Sequence, residues 1–131
     1  MQDFSRSLPM MLYRTLDAVM PRFREIFKEF GLTEQQWRVL RVLWQCEQMP
    51  LRELAGLTLI PAPSLVGIVD RLADSGLVER RRSDTDRRNV YIRATADGRA
   101  LESRVMPRVD AAYADTAADK ALKAVIGTEI E

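Results

Sequence analysis

The chain has 131 residues, 47% of them hydrophobic, a net charge of +1, no histidine and one cysteine, Cys46. That composition supports a packed core rather than disorder, and it removes most zinc sites, Ser-His-Asp and Cys-His machinery and any intramolecular disulfide. With no glycine-rich phosphate loop, no apolar run near the ~20 residues of a membrane span and no signal-peptide pattern at Met1–Arg6, a soluble cytoplasmic protein without cofactor, metal or catalytic residues is expected.

The first predicted element runs from Leu8 to Phe30. Leu12, Leu16, Val19, Met20, Phe23, Ile26, Phe27 and Phe30 recur at spacings of three and four, the period of one helix face. Pro21 interrupts the pattern and Gly31 ends it. So long a stripe is either core or a dimer seam. Thr33-Glu34-Gln35-Gln36 has the form of a capping box that starts a second helix, with Trp37, Leu40, Leu43 and Trp44 on its apolar side. Met49-Pro50 predicts a very short strand, Leu51 to Leu57 a short helix, and Thr58-Leu59-Ile60-Pro61 a turn.

Ala62 to Ser75 predicts a fourth, amphipathic helix, with Pro63 at its first position and Gly76 at its end. Leu65, Ile68, Val69, Leu72 and Ala73 form its apolar face; Ser64, Gly67, Asp70, Arg71 and Asp74 lie opposite. Leu77 to Arg93 then reads as two short strands joined by a polar, arginine-rich loop. Val78 to Arg93 carries six arginines against Glu79, Asp84 and Asp86, a local net of +3; Asp110 to Glu131 carries two lysines against five acids, a net of −3. The local field, not the net charge, steers a chain toward phosphate. Thr95 is placed to cap a helix from Ala96 onward, with Leu101, Val105, Val109 and Ala112 on a packed face and Pro107 as a possible bend; Asp119 to Ile130 predicts a last short helix.

A helix followed directly by a basic β-hairpin is the layout of a winged helix-turn-helix, in which the helix enters a DNA major groove and hairpin arginines reach the backbone or the minor groove. The predicted fold class is therefore mainly α with a small β-hairpin wing. Its winged lobe spans residues 33–95. Residues 1–31 and 96–131 supply a helical dimerisation layer within one domain, with more apolar stripe than a monomer needs.

At this point the chain resembles the MarR family of bacterial transcriptional regulators. The resemblance covers nearly the whole chain. It is carried by Leu32 to Leu40, Leu51-Arg52-Glu53-Leu54-Ala55, Pro63 to Leu72, Gly76-Leu77-Val78-Glu79-Arg80, the wing Asp84-Thr85-Asp86-Arg87-Arg88, and Thr95-Ala96-Asp97-Gly98. Asp86 and Arg88 form its most diagnostic pair. Within the family, Thr33 to Arg38 and the Pro63-Ser64-Leu65 start are most similar to regulators of homoprotocatechuate degradation operons. The resemblance implies a homodimer astride a palindromic double-stranded operator, and repression released by a phenolic or aromatic carboxylate. Two departures stand out. Ala62 occupies the place of a small polar cap, and the region from Ala111 onward is short for interlocked dimer helices, so that the seam is reduced or residues are absent.

In such a lobe, Ser64 suits a phosphate or base edge, Gly67 close approach of the duplex, and Pro63 and Val66 a thymine methyl. Arg71 suits either a phosphate or, preferably, an ion pair that fixes the wing through Asp86. Arg88, then Arg87, suits the minor groove. Arg52 and Ser83 are further phosphate candidates, and Asn89 suits the hairpin turn. Arg80, Arg81 and Arg82 alternate along a strand and cannot all face DNA. An aromatic acid requires a cation beside apolar walls, which Arg14, Met20 and Arg22 on the first helix and Trp37, Arg38 and Arg41 on the second provide; Trp37 and Arg38 come first. Cys46 reads as an ordinary thiol, since the peroxide-sensing members that it would resemble keep their cysteine near the start of the first helix. Competing readings are a protein-interaction module, which an Arg88→Glu change would leave intact, and a constitutive DNA binder without a ligand.

Overall fold

The computed structural model describes residues 6–86 and 88–114. The predicted last helix, Asp119 to Ile130, and Arg87 lie outside the described residues. The fold is mostly helical with a small three-stranded antiparallel sheet. It divides into two compact units: one holds the first helix and the last helix from Val105, the other spans Gly31–Arg104.

In the first unit, α1 (Leu8–Glu29) starts where the Ser7 hydroxyl accepts the Met10 N–H. It continues through Pro21 and stops before Gly31, whose φ of +70° only glycine adopts cheaply. Met11, Phe23, Ile26 and Phe27 are buried. α5 (Ala96–Ala114) runs into this unit, where Val105, Val109 and Ala112 are buried. There the Phe23 ring lies 4.9 Å from that of Tyr113, and Arg108 forks onto the Glu29 carboxylate.

In the second unit, α2 (Glu34–Leu43) begins with the expected capping box: the Gln36 N–H donates to Thr33 Oγ1 and the Thr33 N–H to Gln36 Oε1, both at 3.0 Å. Its buried face is wider than the sequence stripe. Val39 is fully buried along with Leu40, Leu43 and Trp44, because α2 packs on α3, α4 and β3 together. β1 (Met49–Pro50) pairs antiparallel with β3 and sits at the sheet edge, where a proline costs no ladder bond. α3 (Leu51–Thr58) runs one residue further than predicted. The buried Thr58 hydroxyl donates back to the Leu54 carbonyl, and Leu59 ends the helix at a φ of 57°.

α4 (Ala62–Asp74) has Pro61 as its cap, so Pro63 stands at the second helical position rather than the first. The cap position expected at Ala62 thus falls on Pro61, and no side chain caps this end. Leu65, Ile68, Val69 and Leu72 face the core. Its other end closes as a Schellman motif, with the Gly76 N–H on the Ala73 carbonyl and the Leu77 N–H on that of Leu72. The hairpin β2 (Val78–Arg82) and β3 (Val90–Ala94) follows, in register from Val78 against Ala94 to Arg82 against Val90. Thr95 then caps α5, accepting the Gly98 N–H while its hydroxyl donates to the Gly76 carbonyl.

Candidate nucleic-acid interface

Four buried residues of α4 anchor it, and the anchoring decides which residues it turns outward. Pro63, Ser64, Val66 and Arg71 are exposed, and Gly67 has no atom within 4 Å of where a side chain would begin. A large, close-fitting partner such as a duplex can approach this face without displacing protein atoms.

The wing is held against this helix by an ion pair between Asp70 on α4 and Arg80 on β2. The ion pair expected between Arg71 and Asp86 is therefore found on other residues. Leu72 and Val78 turn into the core, which leaves Asp70 facing the hairpin and Arg71 facing outward. Asp86 instead organises the wing turn. Its carboxylate accepts the Arg88 N–H at 3.0 Å and the Asn89 side-chain amide at 3.3 Å. The Ser83 hydroxyl accepts the N–H groups of Thr85 and Asp86, and the Ser83 and Asn89 main chains close the loop. Ser83, expected at a phosphate, and Asp86 thus both shape the loop that carries Arg88. Asn89 holds the turn position expected of it.

Arg52 at the start of α3 and the exposed Arg88 line one concavity of about 180 Å³, with Pro50, Leu51, Asn89 and Val90. Two cations from segments far apart in sequence are thereby brought to one place at the turn end of the wing. Arg81 and Arg82 line a second hollow with Gln48, Asp84, Thr85 and Tyr91, so one acid shares it with the two cations. Arg93 is neutralised across the hairpin by Glu79, its register partner, at 2.9 Å. The sequence separated these arginines only by alternation; the strand register sorts them into paired (Arg80, Arg93) and outward (Arg81, Arg82, Arg88) groups.

The six effector-site candidates divide between the two units. On α1, Arg14 and Met20 are half-buried, while Arg22 lines a concavity of about 260 Å³ with Glu25, Ile26, Glu29, Arg108 and Ala111. On α2, the Trp37 ring stands edge-on to Trp44 at 5.6 Å, and Arg41 is half-buried in the last turn. Arg38 donates to the Thr58 carbonyl at the end of α3, so part of its guanidinium serves to tie two helices. Sequence reasoning missed this tie because its partner is a backbone atom twenty residues away.

Cys46 is half-buried at the end of α2, its Sγ near the Val42 and Leu43 carbonyls. Burial pushes the thiol up from its ordinary pKa, against a smaller opposing pull from Arg99, so it holds its proton at neutral pH. Among the described residues no group of three His, Cys, Asp or Glu side chains could hold a metal ion. None of the described helices alone is long and apolar enough to cross a membrane.

Residues 32–90 match the model of the MarR family. The homoprotocatechuate degradative operon repressor of Escherichia coli is 40% identical over 107 residues, which cover 82% of this chain and 72% of that protein. The solved structure of NadR in complex with 4-hydroxyphenylacetate superposes with a TM-score of 0.78 at 33% identity, covering 98% of this chain and 87% of that one. That of overoxidised AbfR bound to DNA gives a TM-score of 0.73 at 25% identity, covering 83% of this chain and 80% of that one.

Proposed function

The chain belongs to the MarR family of transcriptional regulators, which are not enzymes, and from that premise we propose that it is a homodimeric repressor of an operon for the breakdown of aromatic compounds. It acts in the cytoplasm on a palindromic operator and releases it when a phenolic or aromatic carboxylate binds. The observation that carries the DNA reading is the Asp70–Arg80 pair, which fixes a basic wing beside an outward recognition helix. Residues 33–95 serve as the DNA-reading lobe, with Pro63, Ser64, Val66, Gly67 and Arg71 at the groove and Arg52, Arg87 and Arg88 on the backbone or in the minor groove. Residues 1–31 and 96–131 serve as the dimerisation region.

The homodimer is supported by α1, where Leu8, Leu12, Tyr13 and Leu16 are 66, 55, 67 and 54% exposed and line one apolar hollow. A run of this kind left in water favours a second copy. The effector reading is supported by the likeness to a repressor of homoprotocatechuate breakdown and to NadR holding 4-hydroxyphenylacetate. Trp37, Arg38 and Arg41, with Arg14, Met20 and Arg22, are its candidate residues.

Fluorescence anisotropy of the protein on its promoter DNA, with and without homoprotocatechuate and 4-hydroxyphenylacetate, tests both parts. Tight binding that one acid weakens severalfold is expected. Tight binding that no acid changes would make the chain a constitutive DNA binder. Weak binding indifferent to sequence and salt would leave the protein-interaction reading.

A further inference from the structure

The recognition helix of this chain is poor in hydrogen-bonding side chains where it would meet base edges. Pro61 through Gly67 contains no Arg, Lys, Asn, Gln, Asp or Glu, and Ser64 is its only polar side chain. Ala62, Pro63 and Val66 are exposed beside it, Val66 at 43%. Leu59, just before the helix, is the most exposed large apolar side chain described, at 82%. The next acid, Asp70, is engaged by Arg80. The cap Pro61 and the second helical residue Pro63 have no N–H, and Leu65 gives its N–H to the Pro61 carbonyl. The same helix carries the exposed Arg71, and the same lobe carries Arg52 and Arg88, so the charge of the lobe suits a polyanion and not an apolar protein partner.

In the major groove, guanine and adenine are read mainly by bidentate Arg, Lys, Asn or Gln, and cytosine by an acidic acceptor; thymine alone offers an apolar group, its C5-methyl. We infer that Ala62, Pro63 and Val66 make this chain a reader of thymine C5-methyl groups, so that its half-site specificity comes from methyl contact more than from hydrogen bonds. Gly67 admits the base edge to that patch, and Ser64 supplies the single polar contact. This rests on the DNA-binding reading above and names the chemistry that it recognises.

The test uses the full chain and a duplex that it selects from a random pool. The same duplex is then made with deoxyuridine in place of every thymine in the half-sites, which deletes the methyl and keeps the pairing and the O4 acceptor. Each covered methyl should contribute about fourfold in affinity, from ~0.8 kcal/mol per buried carbon, so the deoxyuridine duplex should bind at least tenfold more weakly. Val66→Ala should weaken binding to the thymine duplex severalfold and to the deoxyuridine duplex hardly at all. Equal affinity for the two duplexes, or an equal Val66→Ala loss on both, overturns the inference while leaving DNA binding in place. Failure to select any duplex overturns the DNA reading and this inference with it.

Discussion

Replacing Gly98 by alanine should destabilise the winged lobe, although Gly98 lies inside the helix α5 and alanine is the better helix former by ~1 kcal/mol. A Cβ at this position would stand 2.1 Å from the Leu77 carbonyl oxygen and 3.1 Å from its carbon. Carbon and oxygen normally approach to ~3.3 Å, so the start of α5 must move about an ångström from the base of the hairpin. Overpacking of that kind costs about 1–3 kcal/mol. The same shift disturbs two buried or capping bonds: the Trp44 indole N–H on the Gly98 carbonyl, at 3.0 Å, and the Gly98 N–H on the Thr95 hydroxyl. Each contributes ~1 kcal/mol. Set against the helix gain, the net loss is about 2 kcal/mol, or a Tm lower by roughly 5–10 °C. Gly56 is the control, since it also lies inside a helix and has nothing within 4 Å of its missing side chain. Gly56→Ala should raise stability by ~0.5–1 kcal/mol. Urea and thermal melts followed by circular dichroism read both. A Gly98→Ala chain as stable as Gly56→Ala would refute the close approach of α5 to Leu77.

Asp70→Asn gives opposite expectations from net charge and from geometry. Removing an acid beside DNA should tighten binding, whereas releasing Arg80 and the wing should weaken it; we expect a severalfold weaker Kd by anisotropy, with stability changed by less than ~1 kcal/mol because both partners are nearly half exposed. Tighter binding would show that the pair does not position the wing. Leu12→Glu together with Leu16→Glu should leave the protomer folded, since both side chains already face solvent, and should shift the sedimenting mass from dimer to monomer; an unchanged mass would remove α1 from the seam. Cys46 should react with iodoacetamide at pH 7.5 more slowly than an unburied peptide thiol, because its folded pKa is raised and the neutral form persists. Rapid alkylation, or loss of DNA binding in dilute hydrogen peroxide, would contradict that.

Local chemistry was the legible part of the chain. The Thr33–Gln36 capping box, the Gly76 helix stop and the Leu65–Leu72 face depend on neighbours within five residues and appear in the structure where the sequence puts them. What escaped depends on how elements rotate against one another. Val39 lies off the simple stripe of α2 yet is fully buried, because that helix is covered on several sides. Arg71 and Asp86 are a plausible pair by charge alone, but hairpin register turns Arg80 to the helix and leaves Asp86 to its own turn. The role of Arg38 depends on a carbonyl, an atom that every residue carries and no sequence pattern marks. Gly98 reads as a weak helix residue until the approach of Leu77 explains it.

The same sorting explains how a chain with a net charge of +1 can attract a polyanion. Acids in the lobe are spent on particular tasks close to the cations they would otherwise cancel. Asp70 neutralises Arg80, Glu79 neutralises Arg93, and Asp86 accepts the Arg88 N–H and the Asn89 side-chain amide at the wing tip. Among the described residues, Arg52, Arg71, Arg81, Arg82 and Arg88 have no such ion pair. Arg52 and Arg88 meet at the turn end of the wing, Arg81 and Arg82 lie on its strand β2, and Arg71 lies on the helix. Pairing within a few ångströms outweighs distant charge once salt screens beyond ~8–10 Å. Within the lobe, the arginines without such a pair therefore present the positive charge that an approaching duplex would meet.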